Sequence, residues 1–455
     1  TKTETNTTIY GKCGPIPVSN FTKTETNTTI YGKCGLIPVS NFRKTEVSVL
    51  EKVVCSGFEH IGCKKQSDIN EKSIEVGFVS MQGIIKNGRS MNTAKAYLSP
   101  VFGRENLKVM KYTRVTKVLV DKTTMKATGV ELQTKYGQIL TLKSNMEVLL
   151  CAGAVGSAQI LLASGIGPKK HLSEMEVPVV KDLKVGQNFL ITPVFTGFVM
   201  SYDKSIVCNQ TEEEIAFKYL SRHSGPLSRP NGLSFGGFLN TGISGSSFAD
   251  VEVYQYYIPK NTYSKLCQLK AIFGFSDTML SVYAKLNYER AISIFTISLI
   301  NAKSTSKILL RSKNPLDSPI IVGNMLTEKN DVKSFLAAIK LLSKIEKSDG
   351  MKLVNARLED IDLDGCAKYS KKTDEHWECL LKYMMSTTSS TAGSCRMGVE
   401  TDTDAVVDSE LNVIGISNLR VVGRSVMPLI TSAYSHVPCI MIAEKAYSMI
   451  KSKYN

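Results

Sequence analysis

The sequence predicts a chain of mixed α/β and α+β class, and three observations predict it. An apolar strand runs directly into a helix across Val148–Pro168, and a second strand, loop and helix close the chain between Asn418 and Lys453. Short alternating segments precede the first of these, and broad aromatic strands fill much of the interval between them. Strand-to-helix pieces and an antiparallel sheet therefore share one chain. The 455 residues are 43% hydrophobic and 21% charged. That balance buries a sizeable core and excludes a peptide hormone, a disulfide mini-domain and a solvated tail.

The elements follow in chain order. Residues 1–21 and 22–42 are a tandem duplication that differs only at Pro15 and Leu36. Two copies are too few for a solenoid, so this segment is expected to be a spare copy, poorly ordered in part. Leu107–Asp121, Ala127–Lys135 and Ile139–Gly153 alternate or run apolar, with turn residues at Asp121–Thr124 and Tyr136–Gly137, which predicts a three-stranded meander. The last of these becomes the apolar strand VLLCAG and meets a helix starting near Val155, with Gly153, Ala154, Gly156 and Ser157 at the junction. A turn of small residues admits close approach of a neighbouring backbone or of a ligand, and the helix N–H groups would suit an anionic or carbonyl-bearing cofactor. The uncharged run Val148–Pro168 is long enough to span a bilayer, but its glycines, Ser157 and Gln159 mark it as a buried strand and helix instead. Ser201–Lys303, rich in Tyr, Phe, Ser and Gly, reads as the wall of an antiparallel sheet over a pocket. Val332–Lys344 is an amphipathic packing helix. The strand Asn418–Gly423, the loop Arg424–Pro438 carrying His436, and the helix Cys439–Lys453 complete the chain.

The net charge of +15 would suit an acidic partner, yet the lysines are scattered and form no basic run or helix. A basic solvated surface is the better reading, and no nucleic-acid partner is expected. The eleven cysteines show no CxxC pair and no zinc-type spacing, so no metal site is expected, and their disulfide pairing is not readable. Asn6, Asn20, Asn27 and Asn209 stand in N-x-S/T sequons, which matter in a secreted chain, although no secretory leader is legible after Thr1.

Several separated segments, in order, resemble one family. They are NGRSMNTAKAYLSP (Asn87–Pro100), CAGAVGSAQILLASGIGP (Cys151–Pro168), VPVVKDLKVGQNF (Val177–Phe189), SKILLRSKNPLDSPIIVGNML (Ser306–Leu326) and the C-terminal stretches Asp374–Gly398, Ala405–Pro428 and Ile430–Ala446. Together they resemble the glucose-methanol-choline flavoprotein oxidoreductases, in the insect branch of glucose dehydrogenases and ecdysone oxidases. The resemblance implies an incomplete FAD-binding, Rossmann-like domain and an antiparallel-sheet substrate domain. It divides the chain into 1–42, the duplication; 43–200, the central part of the FAD-binding domain; 201–380, the substrate domain; and 381–455, the C-terminal part of the FAD-binding domain with the active-site loops.

The resemblance also implies the chemistry: FAD takes hydride from an alcohol carbon, a histidine removes the hydroxyl proton, and oxygen or a quinone reoxidises the flavin. His436 falls on one histidine position of the family. The other, at the head of the H-x-x-G-T-C-x-M-G stretch, reads Ser390, which can hold an oxygen but is no base without a base of its own. Val115, Gly153, Gly423, Arg424 and Val437 fall where the family contacts FAD. Gly423 replaces the usual Asp, Ala158 a usual Pro, and Leu190–Ile191–Thr192 a polar triplet. No G-x-G-x-x-G occurs in the 455 residues, so the chain is expected to be truncated at its N-terminus. The expected substrate is a small alcohol, with the apolar, aromatic Ser201–Lys303 favouring an ecdysteroid over a sugar. The alternative expectation is an impaired or inactive relative that binds an apolar ligand.

Overall fold

The computed structural model describes residues 21–23, 37–41, 49–66, 76–80, 82–203, 211–228, 235–432 and 435–455. Apart from Phe21–Lys23 and Ile37–Asn41 the duplicated segment lies outside the described residues, as do the four sequon asparagines. The chain divides into two compact units. One comprises residues up to Gly103 together with Pro193–Ile300 and Lys329–Thr388; the other comprises Arg104–Thr192, Asn301–Glu328 and Ser389–Asn455.

The first unit is built on an antiparallel sheet. Its order is Arg357–Leu358, Leu190–Tyr202, Ala291–Leu299, Val251–Ile258, Phe235–Leu239, Gly77–Ser80 and Lys65–Gln66, with only the last pairing parallel. Ala291–Leu299 (AISIFTISL) is buried along its whole length, because β-branched and aromatic residues fill both faces of a central strand. Phe198 stacks on Trp377 and meets Phe295 edge-on, which fastens the helix Asp374–Tyr383 to the sheet. The expected packing helix is present as Lys329–Leu342 and buries Phe335, Ala338, Ile339 and Leu342 at helical spacing.

The Ser201–Lys303 region holds the expected strands and also three helices, Glu212–Arg222, Tyr263–Phe273 and Asp277–Glu289, that the strand reading missed. Two of them carry local start signals. Thr211 and Glu214 form a reciprocal capping box, and the Ser276 hydroxyl accepts from the Met279 N–H at 3.2 Å. A disulfide joins Cys366 to Cys379 on the helix Asp374–Tyr383.

The second unit begins with the expected meander, Thr113–Asp121, Lys126–Thr134 and Ile139–Lys143, paired antiparallel with the middle strand central. Asp121 makes the first turn by accepting from the Thr123 N–H at 2.8 Å and the Thr124 N–H at 3.2 Å. The strand Val148–Leu150 then pairs in parallel with Leu419–Val421, drawing together two segments far apart in sequence. The helix Gly153–Ala163 follows, two residues earlier than expected, and buries Ala154, Ser157, Ala158, Leu161 and Leu162. Ala154, Ala158, Leu161 and Leu162 join Val118, Phe189, Val406 and Val421 in one apolar core. The chain closes with the helix His436–Tyr454. It starts three residues before the expected Cys439, since Pro438 falls within its first turn, where no N–H is needed.

Candidate active site

All seven residues singled out from the sequence fall in the second unit. Gly423 ends the strand Leu419–Val421 and turns the chain at φ +126° into the short 3₁₀ turn Arg424–Val426. That backbone suits glycine, and a Cβ there would stand 3.7 Å from the Cys439 sulfur of the closing helix. The 3₁₀ turn is zipped to the segment that follows Ser390. The Gly393 N–H donates to the Arg424 carbonyl at 3.1 Å, the Cys395 N–H to the Ser425 carbonyl at 2.8 Å, and the Met397 N–H to the Val426 carbonyl at 2.9 Å. Leu190, Ala392 and Met427, with Ile430 and Ile442 beside them, form a small apolar cluster that holds the end of the Ser390 strand against the closing loop and helix. Ser390 is half-buried on the strand Met385–Ala392, and no hydrogen bond joins it to His436 among the described residues.

Arg424 links the turn to the closing helix. Its guanidinium donates to the Ser435 hydroxyl at 3.1 Å, and buried Ser435 immediately precedes His436, the first helical residue. His436 remains exposed to solvent. The protein packed around its ring lowers its pKa below the ordinary imidazole value, and the Arg424 charge lowers it further. The imidazole is therefore neutral near pH 7, as a proton acceptor must be. Val437 is half-buried in the same turn.

Gly153, at φ +75°, begins the helix Gly153–Ala163, and a Cβ built on it meets nothing within 4 Å. No side chain caps this helix, and Cys151 and Ala152 just before it are exposed. Its first N–H groups are thus available to an anionic group brought from outside. Val115 stands on the strand that packs against the helix begun by Gly153. It is half-buried on Thr113–Asp121, at an irregularity in the pairing with Lys126–Thr134, and no hydrogen bond joins it to Gly423, Arg424 or His436 among the described residues.

Sequence reasoning missed two features of the site. One is the Arg424–Ser435 bond, which the spacing of the two residues does not reveal. The other is a clamp beneath the closing helix, where buried Glu147 accepts from the Arg420 Nε–H at 2.7 Å, from Lys453 at 2.6 Å and from the Tyr454 hydroxyl at 3.0 Å. Burial alone would raise the Glu147 pKa, but these donors overcome it and set it at about 2. No group of three or more His, Cys, Asp or Glu able to hold a metal occurs among the described residues, and none of their helices is long and apolar enough to cross a membrane.

Two family models, both described as GMC oxidoreductase, match residues 18–194 and 302–443. Glucose dehydrogenase [FAD, quinone] of Drosophila pseudoobscura pseudoobscura is 34% identical over 86% of this chain and 60% of its own length. Ecdysone oxidase of Bombyx mori is 28% identical over 89% of this chain and 58% of its own. The chain thus spans about 60% of the length of these curated relatives. Among solved structures, formate oxidase superposes with a TM-score of 0.79 at 18% identity over 96% of this chain and 77% of its own. Pyridoxine 4-oxidase from Mesorbium loti superposes with a TM-score of 0.76 at 21% identity over 96% of this chain and 76% of its own.

Proposed function

Because the chain belongs to the GMC oxidoreductase family, we propose that it serves an FAD-dependent oxidoreductase acting on the CH–OH group of a small alcohol. The observation that carries this reading is His436, a solvent-accessible imidazole kept neutral by its packing and by Arg424 at the head of the closing helix. The residues around it fit the cofactor. The uncapped helix start at Gly153 can face an anionic group, Gly423 leaves a backbone surface without a side chain, and the buried Ser425 hydroxyl has no hydrogen-bond partner among the described residues. Gly153, Gly423, Arg424 and Val437 would hold FAD, and Val115 would contact its adenine end. FAD, when bound, supplies the acceptor for the hydride that leaves the alcohol carbon.

The chain's own part is to manage the proton. His436 takes the hydroxyl proton as hydride departs, and the nearby Arg424 charge keeps the ring deprotonated between turnovers. Ser390 orients the substrate oxygen by hydrogen bonding. The substrate is an ecdysteroid or a sugar-like alcohol, the two kinds named by the relatives above, and oxygen or a quinone is the final acceptor.

A second reading is favoured by Ser390 itself: with a hydroxyl where the family has a base, the chain would bind its ligand and turn over slowly or not at all. One experiment separates the two. The full-length protein, supplied with FAD, is mixed without oxygen with ecdysone and with D-glucose, and bleaching of the flavin absorbance is followed. Bleaching that slows by about 10²–10⁴-fold in His436→Ala supports the enzyme. Binding of FAD without bleaching supports the inactive relative, and failure to bind FAD overturns both.

A further inference from the structure

The segment Ser306–Lys313 is fastened to the rest of the second unit by three alternate N–H groups. The Ser306 N–H donates to the Phe189 carbonyl at 2.8 Å, the Ile308 N–H to the Gly186 carbonyl at 2.9 Å, and the Leu310 N–H to the His171 Nε2 at 2.9 Å. The first two rungs of this ladder end on backbone oxygens, which do not titrate, whereas the third ends on an imidazole. Nε2 can accept only while it carries a lone pair, so the ring is neutral with its proton on Nδ1. A second proton would turn that acceptor into a donor facing another donor, and the N–H of buried Leu310 would lose its partner. His171 is itself only half-buried, so a proton can reach it.

The charges around the ring are few. Lys169, Lys170 and Glu174 share its helix, Lys169–Glu174. Asp182 accepts from the Lys169 N–H at 3.0 Å. On the facing segment Lys307 is exposed, Arg311 donates to the Ser318 carbonyl at 3.0 Å, and Lys313 pairs with Glu176 at 2.7 Å, holding that carboxylate below its ordinary range. The Lys313–Glu176 pair is exposed, and such a pair adds little. The helix Gly153–Ala163, which packs on the strand Lys307–Leu309, has no charged residue.

We propose that His171 is an acid-sensitive latch, closed while its Nε2 accepts the Leu310 N–H and opened when a proton takes that position. Opening frees 310–314 from the helix Lys169–Glu174. Gln159 keeps hold of the Pro315 and Asp317 carbonyls, at 3.1 and 2.7 Å, and Arg114 of the Leu316 carbonyl at 3.2 Å. Burial lowers the His171 pKa below its ordinary 6.5, and the Glu174 charge opposes this. With the folded pKa lowered, the latch contributes in full above pH 6.5, and its contribution is lost as pH falls through the folded value. The inference does not rest on the proposed oxidoreductase reading, because no cofactor takes part in the latch.

Amide exchange of the purified full chain is followed by mass spectrometry at pH 7.5, 6.5, 5.5 and 4.5, with each rate corrected for the intrinsic effect of pH. Protection of 309–314 should fall by about tenfold per pH unit below 6.5 and level off below the folded pKa of the ring, while Thr113–Asp121 of the same unit stays protected. In His171→Gln, whose side chain does not titrate, protection of 309–314 should be the same at all four values. Constant protection in wild type, an equal fall in His171→Gln, or a simultaneous fall at Thr113–Asp121 overturns the latch. Where the glutamine variant fails to fold, the wild-type curve decides: a slope of one proton supports the latch, and a steeper slope or a fall that begins only in the carboxylate range overturns it.

Discussion

The Arg424 charge changes what the neighbouring imidazole can do. In Arg424→Ala the charge that lowers the His436 pKa is gone, so the pKa rises toward the ordinary imidazole value. A base works only when deprotonated, so the acidic limb of the kcat/KM profile should move to higher pH in this variant, while activity well above that limb changes less. An unmoved limb would show that the charge is not felt at the ring. Glu252 tests burial at the same scale. It lies in the sheet of the first unit, hydrogen-bonded to the Tyr254 hydroxyl, and burial raises its pKa to about 7. A carboxyl raised in the folded state favours folding below its unfolded pKa, and that contribution is lost as pH rises through about 7. Thermal melts of Glu252→Gln should therefore gain on wild type between pH 5 and pH 8. Equal pH slopes in the two proteins would contradict this.

Among the elements, the closing helix depends on its Glu147 clamp. Glu147 titrates at about 2 when folded against an ordinary 4.5, so its support is complete above pH 4.5 and lost as pH falls toward 2. Glu147→Gln removes that charged acceptor and should be less stable than wild type at neutral pH. The loss should show in urea melts at pH 7 and shrink as wild type is acidified. The same helix marks where the sequence stopped being legible. Its body was read from Cys439–Lys453, but its start was misplaced by Pro438, which ends helices from inside yet is harmless in a first turn. The meander and the strand leading into the helix at Gly153 were legible because alternation and small residues are local signals. The helices at 212–222, 263–273 and 277–289 were not, because aromatic and apolar richness suits either period and the caps at Thr211 and Ser276 went unread. His436, Gly423 and Arg424 were singled out by motif alone, and no motif shows that a guanidinium bonds the residue before His436.

For the molecule as a whole, the disulfide between Cys366 and Cys379 closes a short loop, with the two cysteines 13 residues apart. Restricting the unfolded chain this way contributes about 3 kcal/mol in the loop-entropy account. The paired Cys366→Ser, Cys379→Ser variant should melt lower than wild type under oxidising conditions and equal to it under reduction; a gap that persists under reductant would assign the loss to packing instead. The parallel pairing of Val148–Leu150 with Leu419–Val421 has a different consequence. Arg420 and Glu147 are 273 residues apart, and Lys453 and Glu147 are 306 apart, so the site is assembled from contacts of very high order. On a translating ribosome the first strand, its helix and Gly153 emerge long before any partner exists for their open side. Closing so large a loop is slow and must precede the contacts that reward it. The candidate active site is thus among the last parts of the chain to take shape, and a nascent chain stalled before Leu419 would expose the apolar strand Val148–Leu150 to chaperones and to other chains alike.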